Sequence, residues 1–371
     1  MMKIALRLPF SLVFVTSLFV VLSYRTTISI CPVTTQTASS KDDLDPTLLR
    51  LSEFEPSEVI VRQDVNSLLH GDLPDAAGRS GRYYMSHRNN LRSNVLIDRA
   101  RDRVFMSPKE LLGLPEFRHS LSNWFRSRYF QPEVMSQLVN LTTHRRYSSC
   151  AVVGNSGILL KAENGELIDS HEIVIRLNNA RISGYKRHVG SKTNISFINS
   201  NILHLCARRR GCFCHPYGDD VPIIMYACQA VHFLDQTICN ESKRAHAQVT
   251  DARFDLLCMR LVKYYSLKRF VRETGKTPEE WSKKHDEMMF HYSSGMQAVM
   301  LAVGICDKVS IFGFGKSVDA KHHYHTTQKA ELDLHDYEAE YELYKDLVER
   351  PQAIPFLMDS GFTVPHVVFY H

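Results

Sequence analysis

Two segments of the chain combine a buried strand, a glycine-marked turn and a helix. The first covers residues 150–180 and contains VVGNSG, and the second covers residues 292–317 and contains SSGM and FGFG. In such a unit, backbone N–H groups at the turn and at the helix N-terminus form a favourable place for a phosphate. Each segment carries one cysteine, Cys150 and Cys306, which suggests a covalent link between them.

Strand-like and helical patterns alternate after Cys150. The strand-like segments are 172–178, 194–200, 222–227, the KVSIFGFG run and the C-terminal HVVFY. The helical segments are 251–273, 278–285, the SGMQAVMLAVGIC run and 331–349. This alternation predicts an α/β fold around a largely parallel sheet, in which ligands bind at the carboxyl ends of the strands. Gly154, Gly313 and Gly315 are expected at that edge.

The N-terminal part predicts a membrane anchor. Residues 8–24 carry no charge and follow Lys3 and Arg7, so we expect a cytosolic tail at 1–7 and a signal anchor at 8–24, with the remainder lumenal. A cleaved signal peptide is the alternative. The polar segment 25–86 is predicted to be a stem, and residues 87–371 the lumenal domain. A short span suits the thin Golgi membrane.

The charge of the chain gives little reason to expect a nucleic-acid partner. Its 371 residues carry a net charge of only +5, which is not concentrated in one segment. The compact basic run is Arg208–Arg210. It is interpreted either as a solvated loop or as a contact to an anionic substrate or membrane surface.

A lumenal domain is expected to contain disulfides and N-glycans. The chain has nine cysteines. The run Cys206, Cys212, Cys214 and His215 fits no common zinc module, so disulfides are favoured over a zinc site. Three N-glycosylation sequons are present, at Asn140, Asn194 and Asn240.

The order of several motifs is more specific than VVGNSG alone, which is not the GxGxxG pattern of nicotinamide-binding proteins. CAVVGNSG and RLNNA resemble the large sialylmotif of the sialyltransferases, and SSGM with CDKVSIFGFG resembles the small one. The segment from His323 to His325 resembles the third motif, and His335 followed by Glu340 resembles the very small motif. The resemblance covers residues 150–340 and is closest in wording to the plant sialyltransferase-like branch.

This resemblance implies a variant of the glycosyltransferase A fold, Rossmann-like and in a single domain, with type II topology in the Golgi membrane. It implies inverting transfer of a sugar acid from a CMP-activated donor to a galactoside-type glycan acceptor, without a metal or other cofactor. His335 would be the general base, and Cys150–Cys306 the family's central disulfide. The residues that would bind the donor are Asn155 and Asn178 at the nucleotide, Ser294, Gly295 and Gly315 at the cytidine and phosphate, and His323 at the leaving phosphate.

The residue types are suited to this chemistry. A CMP leaving group carries one phosphate, which a histidine and helix-end N–H groups can stabilise. A diphosphate donor more often requires a cation held by Asp-x-Asp, and the plain Asp-x-Asp of this chain, Asp43 to Asp45, lies in the predicted stem. Histidine has an ordinary pKa near neutrality, so it can take the proton of an acceptor hydroxyl.

Several alternatives stay open at this point. Kdo or another nucleotide-activated sugar, used in cell-wall polysaccharide or proteoglycan synthesis, would fit the same motifs. A catalytically inactive Golgi binding protein would share the fold, although the presence of both asparagines and both motif histidines argues against it. SSG before an apolar helix is ordinarily an N-cap. The histidines that would form a zinc site instead are His322, His323, His325 and His335.

Two positions depart from the family pattern. Thr326 closes the third motif where an acidic residue is common, and His291 stands four residues before Gly295, where some relatives have an aromatic residue. Both positions are expected near the donor or acceptor, so they bear on the identity of the sugar.

Overall fold

The structure is a computed structural model, and it describes residues 44–55, 57–73, 95–99, 102–141, 145–207, 214–241, 245–285, 290, 292–327, 335–357 and 360–370. The predicted tail, signal anchor and first part of the stem lie outside these residues, as do Arg208–Arg210 and His291. None of the helices within the described ranges has the length and apolar character required to cross a membrane.

The secondary-structure elements are numbered here in chain order. The described α-helices are α1 (Pro46–Glu53), α2 (Glu58–His70), α3 (Pro108–Leu112), α4 (Pro115–Arg126), α5 (Val134–Gln137), α6 (Gly165–Asp169), α7 (Lys186–Val189), α8 (Ser200–Ala207), α9 (Phe233–Glu241), α10 (Ala252–Thr274), α11 (Trp281–Lys284), α12 (Ser294–Ile305) and α13 (Tyr337–Glu349). The described strands are β1 (Val95–Arg99), β2 (Asp102–Met106), β3 (Cys150–Val153), β4 (Ile173–Leu177), β5 (Ile195–Asn199), β6 (Ile223–Tyr226), β7 (Ala247–Val249), β8 (Lys308–Phe312) and β9 (His366–Tyr370).

Seven of the strands form one sheet in the order β7-β6-β5-β4-β3-β8-β9. Every pairing in this sheet is parallel, with Val152 opposite both Ile175 and Ile311. β3 reads CAVV and is buried on both faces, as expected for a central strand that is covered by helices on either side. The predicted α/β fold with a largely parallel sheet is confirmed. β1 and β2 form a separate antiparallel pair.

Helix α12 covers one face of this sheet. All of its residues are buried, and it contacts β3, β4, β5 and β8. A helix that is apolar on every side requires neighbours all round. The sheet provides one of these neighbours and α10 another. The N-terminus of α12 is therefore held at a fixed place against the sheet.

Part of the predicted stem is folded onto the domain. α1 and α2 lie within the segment 25–86, and α1 contacts α10. Leu48 of α1 is 5% exposed, and Val65 and Leu68 of α2 are fully buried. The folded region therefore includes residues from Pro46 onwards, before the predicted boundary at residue 87, because these apolar side chains find partners in the domain. Asp45, from the Asp-x-Asp of the sequence, caps α1 by accepting from Thr47 N and Leu48 N.

Two disulfides connect distant parts of the chain. Cys150 at the start of β3 is bonded to Cys306 at the end of α12, with their Cα atoms 6.0 Å apart. This is the pair that the resemblance implies. Cys214 is bonded to Cys239 of α9, so it is not available as the thiolate ligand that a zinc site would need. Among the described side chains, Cys228 and Cys258 are free thiols.

Removing the central disulfide is expected to be costly. Loss of a native disulfide typically lowers the free energy of unfolding by about 2–5 kcal/mol, and both Cys150 and Cys306 are fully buried. The double variant Cys150→Ser/Cys306→Ser should unfold at lower denaturant concentration by that amount. Peptide mapping without reduction should recover the linked pair, with Cys258 unlinked as an internal control. Free thiols at both Cys150 and Cys306 would contradict this.

Candidate active site

The order of the strands reverses around β3, which lies between β4 and β8. A ligand of an open parallel sheet binds in the crevice at this kind of position, outside the carboxyl ends of the strands. The residues that follow the three strands are Gly154 after β3, Asn178 after β4 and Gly313 after β8. The fold thus brings the large and small motifs to one edge of the sheet.

The turns after β3 and β8 pack too closely for side chains. A Cβ atom at Gly154 would overlap the carbonyl oxygen of Gly313 and lie 3.0 Å from Phe314 Cε2. Gly313 itself has a φ of 74°, in the left-handed region that favours glycine. Ser156 joins the two turns, since its N–H donates to Gly313 O at 3.1 Å and its hydroxyl donates to Gly315 O at 2.7 Å.

The two predicted nucleotide-binding asparagines lie in neighbouring turns. Asn155 Oδ1 is buried and has no hydrogen-bond partner among the residues that the structure describes. A buried acceptor in this state is usually satisfied by something bound. Asn178 has a φ of 53°, and its Oδ1 accepts from Asn199 N at 2.9 Å. The oxygen of Asn178 is therefore used within the protein, which leaves its side-chain NH2 group for a ligand.

The N-terminus of α12 is capped and anchored by buried polar groups. Ser293 Oγ accepts from Met296 N at 3.0 Å and donates to Glu340 Oε2 at 2.6 Å. Ser293 N donates to Glu340 Oε1 at 2.7 Å. Burial raises the pKa of Glu340 to about 7, although the bonds from Ser293 oppose this. The predicted N-cap is thus present, and Ser294 and Gly295 occupy the first turn, where helical N–H groups lack intrahelical partners.

Gly295 lies against Phe314, the residue directly before Gly315. A Cβ atom at Gly295 would be 2.7 Å from Phe314 Cε1 and 3.3 Å from Leu177 Cδ1. The hydroxyl of Tyr341 in α13 bonds to the backbone of Gly315. The small motif therefore contacts both the end of β4 and the helix that follows His335.

The third motif is fixed through Tyr324. Its N–H donates to Asn155 O at 2.9 Å, and its hydroxyl donates to Arg181 O at 2.6 Å. Next to it, His323 Nδ1 lies 3.4 Å from Thr326 Oγ1, so the unusual Thr326 contacts the predicted phosphate ligand. Burial lowers the pKa of His323, and burial, His323 and Arg181 lower the pKa of His325 to about 4.

The predicted helix 331–349 includes His335. In the structure, His335 lies before the helix and not in it. α13 begins at Tyr337, because Asp336 is its N-cap and accepts from Ala339 N. Asp336 also accepts from Ser266 Oγ and Arg269 Nη1, both at 2.6 Å. The backbone next to His335 is therefore firmly held by α10.

An aromatic contact path joins His335 to the third motif. The ring of Tyr337 is 5.5 Å from that of His335 and 5.6 Å from that of His322. The His322 and His323 rings are stacked at 4.5 Å. Within the described ranges, no group of three or more His, Cys, Asp or Glu side chains is arranged to hold a metal ion.

Two of the predicted glycosylation sites are bonded into the sheet. Asn194 Oδ1 accepts from Val174 N at 2.9 Å. Asn240 uses both amide atoms on Ala247, accepting from its N–H at 2.5 Å and donating to its oxygen at 3.3 Å. The side chain of Asn140 lies outside the described residues. Glycosylation at all three positions stays a prediction.

The comparison with known proteins decides the family. A family model described as glycosyltransferase family 29 (sialyltransferase) matches residues 101–351. The chain belongs to glycosyltransferase family 29. It is 56% identical over 346 residues to sialyltransferase-like protein 1 of Oryza sativa subsp. indica, with 88% of each chain covered. It is 50% identical over 344 residues to a β-1,6-galactosyltransferase of Arabidopsis thaliana, with 88% of this chain and 86% of that protein covered.

Among solved structures, a mammalian sialyltransferase in complex with Gal-β-1,3-GalNAc-ortho-nitrophenol matches this member of family 29 with a TM-score of 0.40. The two are 20% identical, and the match covers 80% of this chain and 99% of that chain. The resemblance to the sialyltransferases and the class of enzyme, a glycosyltransferase, are confirmed by the family and its relatives.

Some residues of the site were not predicted as part of it. Tyr337 lies two residues after His335, but its contact with the ring of His322 depends on the path of two loops. Glu340 was used only as a spacing marker, and its bonds to Ser293 cross 47 positions of sequence. Tyr217 lies outside the four motifs, and its hydroxyl bonds to Leu177 O and Ala180 O.

Proposed function

We propose that this chain is an inverting glycosyltransferase that moves a sugar acid from a CMP-activated donor to a hydroxyl of a galactoside-type glycan. The observation that carries the proposal is the meeting of four motif segments at one edge of the sheet. Tyr324 in the loop of His323 bonds through its N–H to Asn155 O and through its hydroxyl to Arg181 O, in the turn that follows Asn178. The cap of α12, Ser293, bonds to Glu340 in the helix that follows His335.

Each proposed role follows from the local geometry. The unpartnered Oδ1 of Asn155 and the NH2 group of Asn178 are suited to a nucleoside, which has both donors and acceptors. The N–H groups of Ser294 and Gly295 and the backbone near Gly315 would receive the phosphate.

His323 would donate a hydrogen bond to the departing phosphate. Its lowered pKa makes it neutral near pH 7. In the tautomer whose Nδ1 accepts from the Thr326 hydroxyl, the ring proton would be on Nε2 and could be donated to the phosphate. His335 would take the proton of the acceptor hydroxyl as the bond between the anomeric carbon and the phosphate oxygen breaks. The new bond then forms on the opposite face of the sugar, which inverts the anomeric centre.

A second candidate function keeps the site and changes the sugar. The Arabidopsis relative that is 50% identical is named as a β-1,6-galactosyltransferase, so galactosyl transfer is the competing reaction. CMP-Kdo as a donor in cell-wall polysaccharide synthesis belongs with the first candidate, because it keeps the CMP leaving group. The proposed setting is the Golgi membrane, with residues 8–24 as a type II anchor.

A donor screen tests the proposal and its metal independence together. The purified protein is incubated with CMP-sialic acid, CMP-Kdo and UDP-galactose and a galactan acceptor, with and without EDTA. We expect turnover of a CMP-activated acid, unaffected by EDTA, because the Asp-x-Asp of this chain lies before the catalytic motifs. Turnover of UDP-galactose alone would favour the second candidate. Loss of activity with EDTA that manganese restores would contradict the proposed donor site.

A further inference from the structure

The turn that carries Asn178 adopts a backbone conformation that needs support. The φ of Asn178 is 53°, a region that costs a non-glycine residue free energy and persists only where the surroundings hold it. Its N–H donates to Phe197 O at 2.8 Å, and Oδ1 accepts from Asn199 N. These bonds link Asn178 to β5. The carbonyl groups of the neighbouring residues in the turn require partners of their own.

Two tyrosine hydroxyls hold the outer side of this turn. The Tyr217 hydroxyl lies 3.2 Å from Leu177 O and 3.1 Å from Ala180 O, so its proton is shared between the two carbonyl groups. The Tyr324 hydroxyl bonds to Arg181 O, the next residue. Buried carbonyl groups require such partners. Tyr324 belongs to the third motif, whereas Tyr217 belongs to none of the four.

The loop that carries Tyr217 is fastened on both sides. Cys214, three residues earlier, is bonded to Cys239, with Cα atoms 5.5 Å apart. Cys239 is fully buried in α9. Two residues after Tyr217, Asp219 O accepts from Ala245 N at 3.0 Å. The disulfide and this hydrogen bond thus fasten the chain on either side of Tyr217.

The hydroxyl of Tyr217 stays protonated over the ordinary pH range. Burial raises its pKa, and the nearby Arg176 guanidinium opposes this only in part. The hydroxyl therefore remains a hydrogen-bond donor toward Leu177 O and Ala180 O near neutral pH.

We propose that Tyr217 is a positioning residue for donor binding, and that the Cys214–Cys239 disulfide holds it on the Asn178 turn. The inference rests on the proposed role of Asn178 in binding the nucleotide. Tyr217 itself would not contact the reacting atoms. Its loss should weaken the binding of the nucleotide, because the turn that presents the Asn178 amide would be less firmly held at Leu177 O and Ala180 O, and should leave the chemical step unchanged.

The test is Tyr217→Phe in the full chain, a change that removes the hydroxyl and keeps the ring. A hydrogen bond of this kind is worth a factor of about 3–10 in affinity. We expect the KM for the donor and the Kd for CMP to rise by about that factor, with kcat and the KM for the acceptor unchanged. Hydrogen exchange at residues 177–181 should become faster.

Two further variants separate positioning from general stability. Tyr185→Phe is the matched control, since the Tyr185 ring packs 4.9 Å from that of Tyr324 and it keeps the Tyr217 bonds intact. It should behave as the unmodified enzyme does. The double variant Cys214→Ala/Cys239→Ala should reproduce the rise in donor KM. A lower Tm with an unchanged donor KM would overturn the role of the disulfide.

The remaining outcomes decide the role of Tyr217. An unchanged donor KM in Tyr217→Phe, or a loss of kcat at constant KM, overturns the proposal. If the unmodified protein binds neither CMP nor UDP and transfers no sugar, the proposed function fails instead. In that case faster exchange at 177–181 in Tyr217→Phe still supports the clamp on the turn, and unchanged exchange overturns it.

Discussion

Replacing His335 with alanine is expected to lower kcat by about 10²-fold or more and to leave the Kd for CMP nearly unchanged. A general base contributes roughly 10²–10⁴-fold to the rate, and it acts on the acceptor hydroxyl and not on the nucleotide. The variant should fold, because α13 begins with its own cap at Asp336. Turnover with the favoured donor and calorimetric titration with CMP measure the two effects.

The pH profile provides a second measure of the same role. A base must be unprotonated to act, so the unmodified enzyme should lose kcat toward acid pH, and His335→Ala should lack this acid limb of the profile. The control is His366→Ala. His366 is an exposed histidine at the start of β9, an edge strand of the sheet, so it lies at the amino end of that strand, whereas the site lies at the carboxyl ends. Near-normal turnover in His335→Ala, or a loss of CMP affinity alone, would mean that the base lies elsewhere.

His323→Ala should give a different pattern. Its proposed partner is the phosphate, so both CMP affinity and kcat should fall, and the loss of one donor to a developing charge is typically worth about 10²–10³-fold in kcat. Thr326→Val is informative in the same assay, because it removes the hydroxyl that lies 3.4 Å from His323 Nδ1. A His323→Ala variant that binds CMP normally would remove the phosphate role.

The strands and glycine turns that form the site could be predicted from the sequence. The apolar runs of β3, β4 and β8 are short and almost entirely buried, and the glycines after β3 and β8 allow close backbone approach. These properties are local, so they can be read along the chain. The order of the strands around β3 was not predicted, because it depends on pairings between distant segments of the chain.

Features that depend on distant contacts were not predictable in this way. The helices α1 and α2 have few buried side chains, such as Leu48 and Leu68, and these are buried only because they pack against the rest of the domain. The three-residue strand β7 is too short to show a pattern. Tyr217 bonds to carbonyl groups about 40 positions away, and no local signal marks the partner.

The start of α13 shows how a single capping residue changes a prediction. The acidic and apolar pattern extends back to residue 331, which suggested a longer helix. Asp336 ends that pattern because its side chain bonds to Ala339 N, Ser266 Oγ and Arg269 Nη1. His335 is thereby left in a turn, and its orientation depends on a cap held by α10 instead of on helical periodicity.

Stability is expected to depend on the protonation of Glu340. Its carboxyl group is 1% exposed, and burial raises its pKa to about 7 from the ordinary 4.5. The folded protein therefore binds a proton that the unfolded chain has lost between these two pH values. The contribution of this group is fully present below pH 4.5 and is lost as the pH rises through about 7, with a total of roughly 3 kcal/mol at most.

Glu340→Gln should remove this part of the pH dependence. The glutamine resembles the protonated carboxyl group and can still accept from Ser293 N, so the free energy of unfolding should vary less between pH 5 and 8 than in the unmodified protein. Asp255, whose pKa burial raises to about 6, will keep part of the slope in both proteins. Glu349→Gln, an exposed residue on the same helix, should leave the slope unchanged.

Glu340→Ala should have the larger effect. It leaves the buried Ser293 N–H and hydroxyl without their partner, and each such group costs about 1–3 kcal/mol, before the cavity is counted. Because Ser293 is the N-cap of α12, the first turn with Ser294 and Gly295 should also be less well held, and CMP binding should weaken with stability. Denaturant unfolding of Glu340→Ala and Glu340→Gln at pH 5 and 8, with calorimetric CMP titration, separates these effects. If Glu340→Gln keeps the pH dependence of the unmodified protein, the titrating group is not Glu340. If Glu340→Ala binds CMP normally, the cap of α12 does not support the phosphate site.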